Sequence, residues 1–209
     1  MASSQDYPPI HDTDRELIEA INNGEPERFA ELVARYEGRL YNFGRRMCGS
    51  LQDAEDMVQD TFFNVFKYLK GFRGESKFKN WLYRVAASAC AKKKRKSKFA
   101  PERELSLEEF LPQEGAALPT EVPAWASAPL DKLLDRELGD QLRQTILDLP
   151  ESHRPVLVLR DLEGFSTAET AQILGLSTAN VKVKLHRARL FVRERLKDYF
   201  DHGTRRPLQ

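Results

Sequence analysis

Five of the chain's eleven prolines fall between Ala100 and Leu130: Pro101, Pro112, Pro119, Pro123 and Pro129. Each lacks a backbone N–H and crowds the turn before it, so no long helix passes through this stretch. Acidic and small residues fill the gaps, which is the composition of a linker. The chain is therefore divided into two parts, 1–99 and 130–209, around a linker at 100–129. Neither part shows the period-two alternation of a strand. The expected fold class is all-α, with two small helical domains joined by a flexible acidic linker and a helix-turn-helix in the C-terminal one.

Apolar residues recur at helical spacing on both sides. Leu17, Ile18 and Ile21 belong to a short first helix that Gly24 ends and Pro26 follows. Phe29, Leu32, Val33, Tyr36, Leu40, Phe43 and Met47 make one continuous stripe. A further helix is expected from near Asp53, with Ala54, Met57, Val58, Phe62, Val65 and Leu69 inward. Gly71 and Gly74 break the chain before a helix over Phe78 to about Lys96, with Trp81, Leu82, Val85, Ala86 and Ala89 inward. Beyond the linker, Leu133, Leu134, Leu138, Leu142, Ile146 and Leu149 form a stripe that Pro150 stops.

The near-zero formal charge of +1 hides a sorted pattern. Asp12 to Asp60 carries twelve acids and six bases, whereas Lys67 to Lys98 carries twelve bases and one acid. Glu102 to Glu121 returns to six acids and one base, and Leu176 to Phe200 to seven bases and two acids. Two basic blocks suggest two polyanion contacts, and the acidic ones suggest a basic partner surface or self-masking.

The last basic block lies on a helix-turn-helix pattern. Ser166 and Glu169 have capping-box spacing, and Ala171, Ile173 and Leu174 supply a buried face. Gly175 suits the sharp turn, Leu176 plugs the core, and Ser177 caps the next helix. Val181, Leu185, Ala188, Val192 and Leu196 run down one side of it. Ser177, Thr178, Asn180, Lys182, Lys184, Arg187 and Arg189 are the candidate DNA contacts. Such a helix enters a major groove, its first turns at base edges and its flanks on phosphates. In the other basic block, Phe72, Arg73, Lys77, Asn80, Trp81, Tyr83, Arg84, Ser88 and Lys92 mix rings with cations. That composition holds single-stranded nucleic acid, with charge along the backbone and rings against bases, although Trp81 and Tyr83 are also natural core residues.

Other classes find little support. The longest aliphatic run is Val156–Leu159, far below the roughly 20 apolar residues of a membrane span. The polar, acidic start does not resemble a secretory signal. Cys48 and Cys90 are far apart in sequence and form no CxxC, which suggests a reduced, cytoplasmic protein without a disulfide framework. No P-loop, nucleophile elbow, metal-ligand cluster or catalytic carboxylate pair is present in the sequence, so neither an enzyme nor a cofactor or metal is expected.

Four strings carry a family resemblance: DAEDMVQDTF from Asp53, FRGES from Phe72, FKNWLYRVA from Phe78 and VKVKLHRAR from Val181. In this order they resemble the extracytoplasmic-function (ECF) sigma factors of the sigma-70 family, over roughly Ala20 to Leu196. The resemblance implies a promoter-specificity subunit of RNA polymerase. Residues 1–99 would then be region 2 and residues 130–209 region 4. It assigns core-polymerase docking on the β′ clamp helices to Asp53, Asp56, Gln59, Asp60 and Phe63. It assigns the −10 element to the Phe72-to-Lys98 block and the −35 duplex to the helix-turn-helix. The partners it implies are core polymerase (β′ clamp helices and β flap), promoter DNA in duplex and single-stranded form, and an anti-sigma factor. No membrane insertion and no stable homo-oligomer are expected. Ser88, Lys92 and Thr170 depart from the family's usual Asn, Asp and aliphatic residue.

Energetics agree with a subunit rather than a self-sufficient DNA opener. Opening about ten base-pair steps at about 1.4 kcal/mol each costs on the order of 14 kcal/mol. One or two stacked bases return about 2–6 kcal/mol. The competing reading, a conventional activator or repressor, uses the same helix-turn-helix on palindromic sites and needs no single-strand surface.

Overall fold

The computed structural model describes residues 13–72, 74, 76–97 and 134–203. The expected linker at 100–129 and the candidate Arg73 lie outside the described residues. All regular structure within them is helical. The N-terminal bundle comprises α1 (Thr13–Asn22), α2 (Phe29–Cys48), α3 (Leu51–Tyr68) and α4 (Phe78–Ser97). The C-terminal unit comprises α5 (Leu134–Asp148), α6 (Arg154–Leu157), α7 (Thr167–Leu174) and α8 (Thr178–Gly203).

The α2 stripe forms the centre of the first bundle: Leu32, Tyr36, Leu40 and Phe43 are completely buried. Burying Tyr36 requires a partner for its hydroxyl, which donates to Asp14 Oδ2 at 2.6 Å. Asp14, itself buried on α1, also pairs with Arg35, so the carboxylate does not go unmatched in the interior. Gly44 lets α3 approach α2 closely. A Cβ there would stand 3.2 Å from the Ala54 Cα and 2.5 Å from the Met57 Cε.

Two local expectations shift. First, α3 starts at Leu51 rather than near Asp53, because Ser50 takes the cap and accepts from the Asp53 N–H at 3.0 Å. Second, Trp81 and Val85 are only partly buried, whereas Tyr83 and Cys90 join Leu82, Ala86 and Ala89 in the core. Tyr83 is buried because α4 is covered on two sides. Its ring meets Phe43 of α2 at 5.2 Å and Phe165 of the C-terminal unit at 4.8 Å.

The expectation of two separate thiols is corrected. Cys48 and Cys90 form a disulfide between the end of α2 and α4, with Cα atoms 5.9 Å apart and a sequence separation of 42. α2 and α4 run side by side in the same direction, with Tyr36 against Phe78, Phe43 against Tyr83 and Cys48 against Cys90, so packing joins residues that sequence distance separates.

In the C-terminal unit, Pro155 sits in the first turn of α6. That helix continues into a π-helical turn, Val158–Leu162. The turn ends at Gly164, which has φ +73°, before α7. The capping box is complete: Glu169 N–H donates to Ser166 Oγ at 3.1 Å, and Ser166 N–H donates to Glu169 Oε2 at 2.9 Å. Gly175 takes φ +67°, and the Leu176 N–H closes the helix end on the Ala171 carbonyl at 2.9 Å. Ser177 then caps α8, accepting from the Asn180 N–H at 3.2 Å.

Two stability outcomes are expected. Thr170 is completely buried and its hydroxyl has no hydrogen-bond partner in the protein. Thr170→Val keeps the shape and removes that polar atom, so urea unfolding should show a gain of about 1 kcal/mol. Cys48→Ser should lower the stability of the oxidised protein by about 2–4 kcal/mol, through loss of the loop constraint. Unfolding curves of the parent with and without dithiothreitol should show the same difference, and the variant should ignore the reductant.

Candidate nucleic-acid interface

Helix α3 buries Ala54, Met57, Thr61 and Val65, which turns Asp56, Gln59, Asp60 and Phe63 to the opposite side at i, i+3, i+4 and i+7. Gln59 and Asp60 are exposed, and Phe63 is 70% exposed, an unusual position for a phenylalanine. Phe66, not among the predicted residues, is 51% exposed and extends this row. Asp53 stands apart: Ser50 Oγ donates to its carboxylate at 2.7 Å, so it serves the helix start. Gln52 Nε2 donates to Asp56 Oδ1 at 3.0 Å. The result is an anionic, partly aromatic ridge.

The predicted single-strand residues fall into two groups on α4. Lys77, Arg84, Ser88 and Lys92 are exposed and, with the half-buried Trp81, follow one row at helical spacing. Phe72 lies against the Trp81 ring at 5.1 Å, and both rings touch Phe78 at 5.9 Å. This cluster fixes the plane of Trp81 and leaves part of it open. Asn80 and Tyr83 point away from the row and are buried, at 6% and 0% exposure.

The second group meets the C-terminal unit. Tyr83 OH donates to Glu163 Oε2 at 2.7 Å, and Arg46 Nη1 pairs with Glu163 Oε1 at 3.1 Å. Burial first, and Glu163 second, push the Tyr83 phenol upward, so it remains a donor. Lys79 lies 4.3 Å above the Phe165 ring, and burial lowers its pKa. Lys77 Nζ reaches Glu169 Oε1 at 3.1 Å. The Ser166 backbone N–H, then Lys77, hold the Glu169 carboxyl down to about 2. Arg154, buried at 8% exposure, donates to the Met47 carbonyl of α2 at 3.1 Å while also holding Leu147 and Leu149. Glu163, Phe165, Arg46 and Arg154 were not picked out from the sequence. Only the Glu-Gly-Phe step before the Ser166 cap could have hinted at them.

On α8, Val181, Leu185, Ala188, Val192 and Leu196 are buried. Ser177, Thr178, Ala179, Asn180, Lys182, Val183 and Arg187 are exposed, and Lys184 is half-buried. Ser177 is chiefly a cap. Arg189 is committed to Asp161 through two bonds of 2.8 and 2.6 Å, so it braces the π-turn rather than standing open. His153, against the same cationic helix, is brought down to about 4, first by burial and then by Lys184 and Arg187.

Residues 32–100 match Sigma-70 region 2 and residues 139–192 match Sigma-70 region 4. The chain is 31% identical to the ECF RNA polymerase sigma factor SigW of Bacillus subtilis, over 88% of this chain and 97% of that protein. Among solved structures, CnrH in complex with the cytosolic domain of CnrY superimposes with a TM-score of 0.63 at 25% identity, covering 89% of this chain and 98% of that one. The sigma factor RpoE in complex with the anti-sigma factor NepR from Bartonella quintana has the same fold, with a TM-score of 0.59 at 21% identity over 81% and 96% of the two chains. The two matched regions, in this order on an all-helical frame, place the chain in the sigma-70 family, among the ECF RNA polymerase sigma factors.

Proposed function

We propose that this sigma factor divides promoter-directed initiation among three surfaces, and that it works in the cytoplasm. The α3 ridge of Asp56, Gln59, Asp60 and Phe63 docks core polymerase on the β′ clamp helices, with Asp53 fixing the start of that helix. Region 4 contributes the contact with the β flap. The α4 row of Lys77, Trp81, Arg84, Ser88 and Lys92, with Phe72 against Trp81 and with Arg73, which lies outside the described residues, holds the opened −10 strand. The exposed side of α8, from Thr178 to Arg187, reads the −35 duplex. Residues 1–99, 100–129 and 130–209 are the corresponding region 2, linker and region 4.

One observation carries the reading. An anionic ridge, a cationic row with a clamped tryptophan and a helix-turn-helix occur on one chain, on separate surfaces. A basic flank on α8 suits phosphates, and each one neutralised steepens the salt dependence by about 0.9 log units per log unit of salt. Phe72 and Phe78 both lie tilted against the ring of Trp81, so a base stacks on it without first ordering the side chain.

Tyr83 and Asn80 have a different place in this scheme. Both are buried, and Tyr83 is bonded to Glu163, so they support α4 from behind. Glu169 occupies Lys77, and Phe165 occupies Lys79. With the two regions in contact, part of the −10 surface is therefore covered, and engaging both promoter elements requires them to separate. An anti-sigma factor, as in the sigma factor complex from Bartonella quintana, would act by holding such a covered arrangement.

Three outcomes are expected. Added to sigma-free core polymerase, the chain should produce promoter-specific transcripts from genomic fragments. Absence of both transcript and core complex would overturn the reading. Asp56→Lys with Asp60→Lys should weaken core binding at least tenfold and leave duplex binding by the full chain unchanged; equal loss of both would contradict the division of labour. Glu163→Ala removes two partly buried bonds worth about 1–2 kcal/mol together. It should enlarge the radius of gyration measured by X-ray scattering, and high salt should do the same to the parent.

A further inference from the structure

Val183 is 50% exposed and is the one large hydrophobic standing out from α8 among the described residues. A lone exposed valine is ordinary on a protein surface. Its position here is not ordinary. At about 100° per residue, Val183 lies about 200° around the helix from the buried Val181. It therefore occupies the middle of the outward side, with Ala179 and Arg187 one turn away in either direction and Asn180 beside it. Lys182 and Lys184 fall about 100° to either side, on the flanks that face phosphates when such a helix lies in a groove.

The spacing along the axis is equally specific. Asn180 to Arg187 spans about 10.5 Å of helix at about 1.5 Å per residue. That is about three steps of duplex at about 3.4 Å each. Val183 lies between the two polar residues, over the middle step. Asn180 suits an adenine edge and Arg187 a guanine edge, because each can form paired hydrogen bonds there. Valine can form none. Over a purine edge, or over the amino group of cytosine, it would strip water from polar atoms and return nothing. The thymine C5-methyl is the one apolar group that the major groove displays.

We infer that Val183 reads the methyl group of a thymine in the −35 duplex, at the middle of the three steps between the base pairs met by Asn180 and Arg187. This rests on α8 being the duplex-reading helix, and it adds a determinant of sequence preference that the polar residues alone do not supply. Ala179, small and one turn earlier, leaves room for the methyl group to approach.

The test uses holoenzyme assembled from core polymerase and the full chain, on a promoter obtained by selection in vitro. Thymines of the −35 element are replaced one at a time by deoxyuridine, which removes only the methyl group. One replacement should weaken promoter binding about fourfold, the equivalent of about 0.8 kcal/mol for a buried methyl. Val183→Ala and Val183→Ser holoenzymes should bind the thymine and deoxyuridine promoters equally. If no thymine responds with the parent protein, or if the same thymine still responds with Val183→Ser, the inference fails while the assignment of α8 stands. If the parent holoenzyme selects no −35 sequence, both fail together. The deoxyuridine series on the parent can overturn the inference without any variant, and a binding-competent Val183→Ser or Val183→Ala holoenzyme assigns the response to this side chain.

Discussion

The guanidinium of Arg154 holds the ends of two helices at once. It donates to the Leu147 and Leu149 carbonyls at the end of α5 and to the Met47 carbonyl at the end of α2. The last carbonyls of a helix lack intrahelical partners and carry the negative end of its dipole, so a buried cation there is matched in hydrogen bonding and in charge. Removing it would leave three carbonyls facing an apolar interior. Arg154 ties the end of α5 to the end of α2, on the same contact that sets Glu163 and Phe165 against α4. Glu163 then fixes Tyr83 and Arg46 on the N-terminal side.

The fold was largely readable from spacing. The α2 stripe, the Ser166 cap, the Gly175 turn and the buried side of α8 all follow from local rules, and the helices form where those rules place them. What could not be read was which helices meet. By sequence Tyr83 suits either a nucleic-acid ring or the core, and it is buried because α4 is covered on two sides. The separation of Cys48 and Cys90 along the chain says nothing about α2 and α4 lying side by side. Arg189, a candidate DNA contact by its place on α8, is paired with Asp161, 28 residues earlier. Each of these depends on contacts between elements distant in sequence, and no period in the sequence encodes them.

Charge sorting takes on a more definite meaning in three dimensions. The acids of α3 stay on an outward ridge, and the bases of α4 divide between an outward row and the contact with region 4. Glu163 and Glu169 lie outside the acidic blocks visible in the sequence, yet they are the anions that meet Arg46, Lys77 and Tyr83. The contact between the regions is thus made by a few partly buried pairs, not by attraction between whole blocks.

Glu169 shows how such a contact can be undone without damage. One carboxylate oxygen receives the Ser166 N–H and completes the cap of α7, while the other receives Lys77 from region 2. The first bond is local and the second spans the two regions. Withdrawing Lys77 therefore leaves the cap, and the hairpin it begins, already assembled. Separation exposes a lysine for phosphate and costs the DNA-reading element no refolding, so the handover from protein anion to nucleic-acid anion can be a simple exchange of counter-ions.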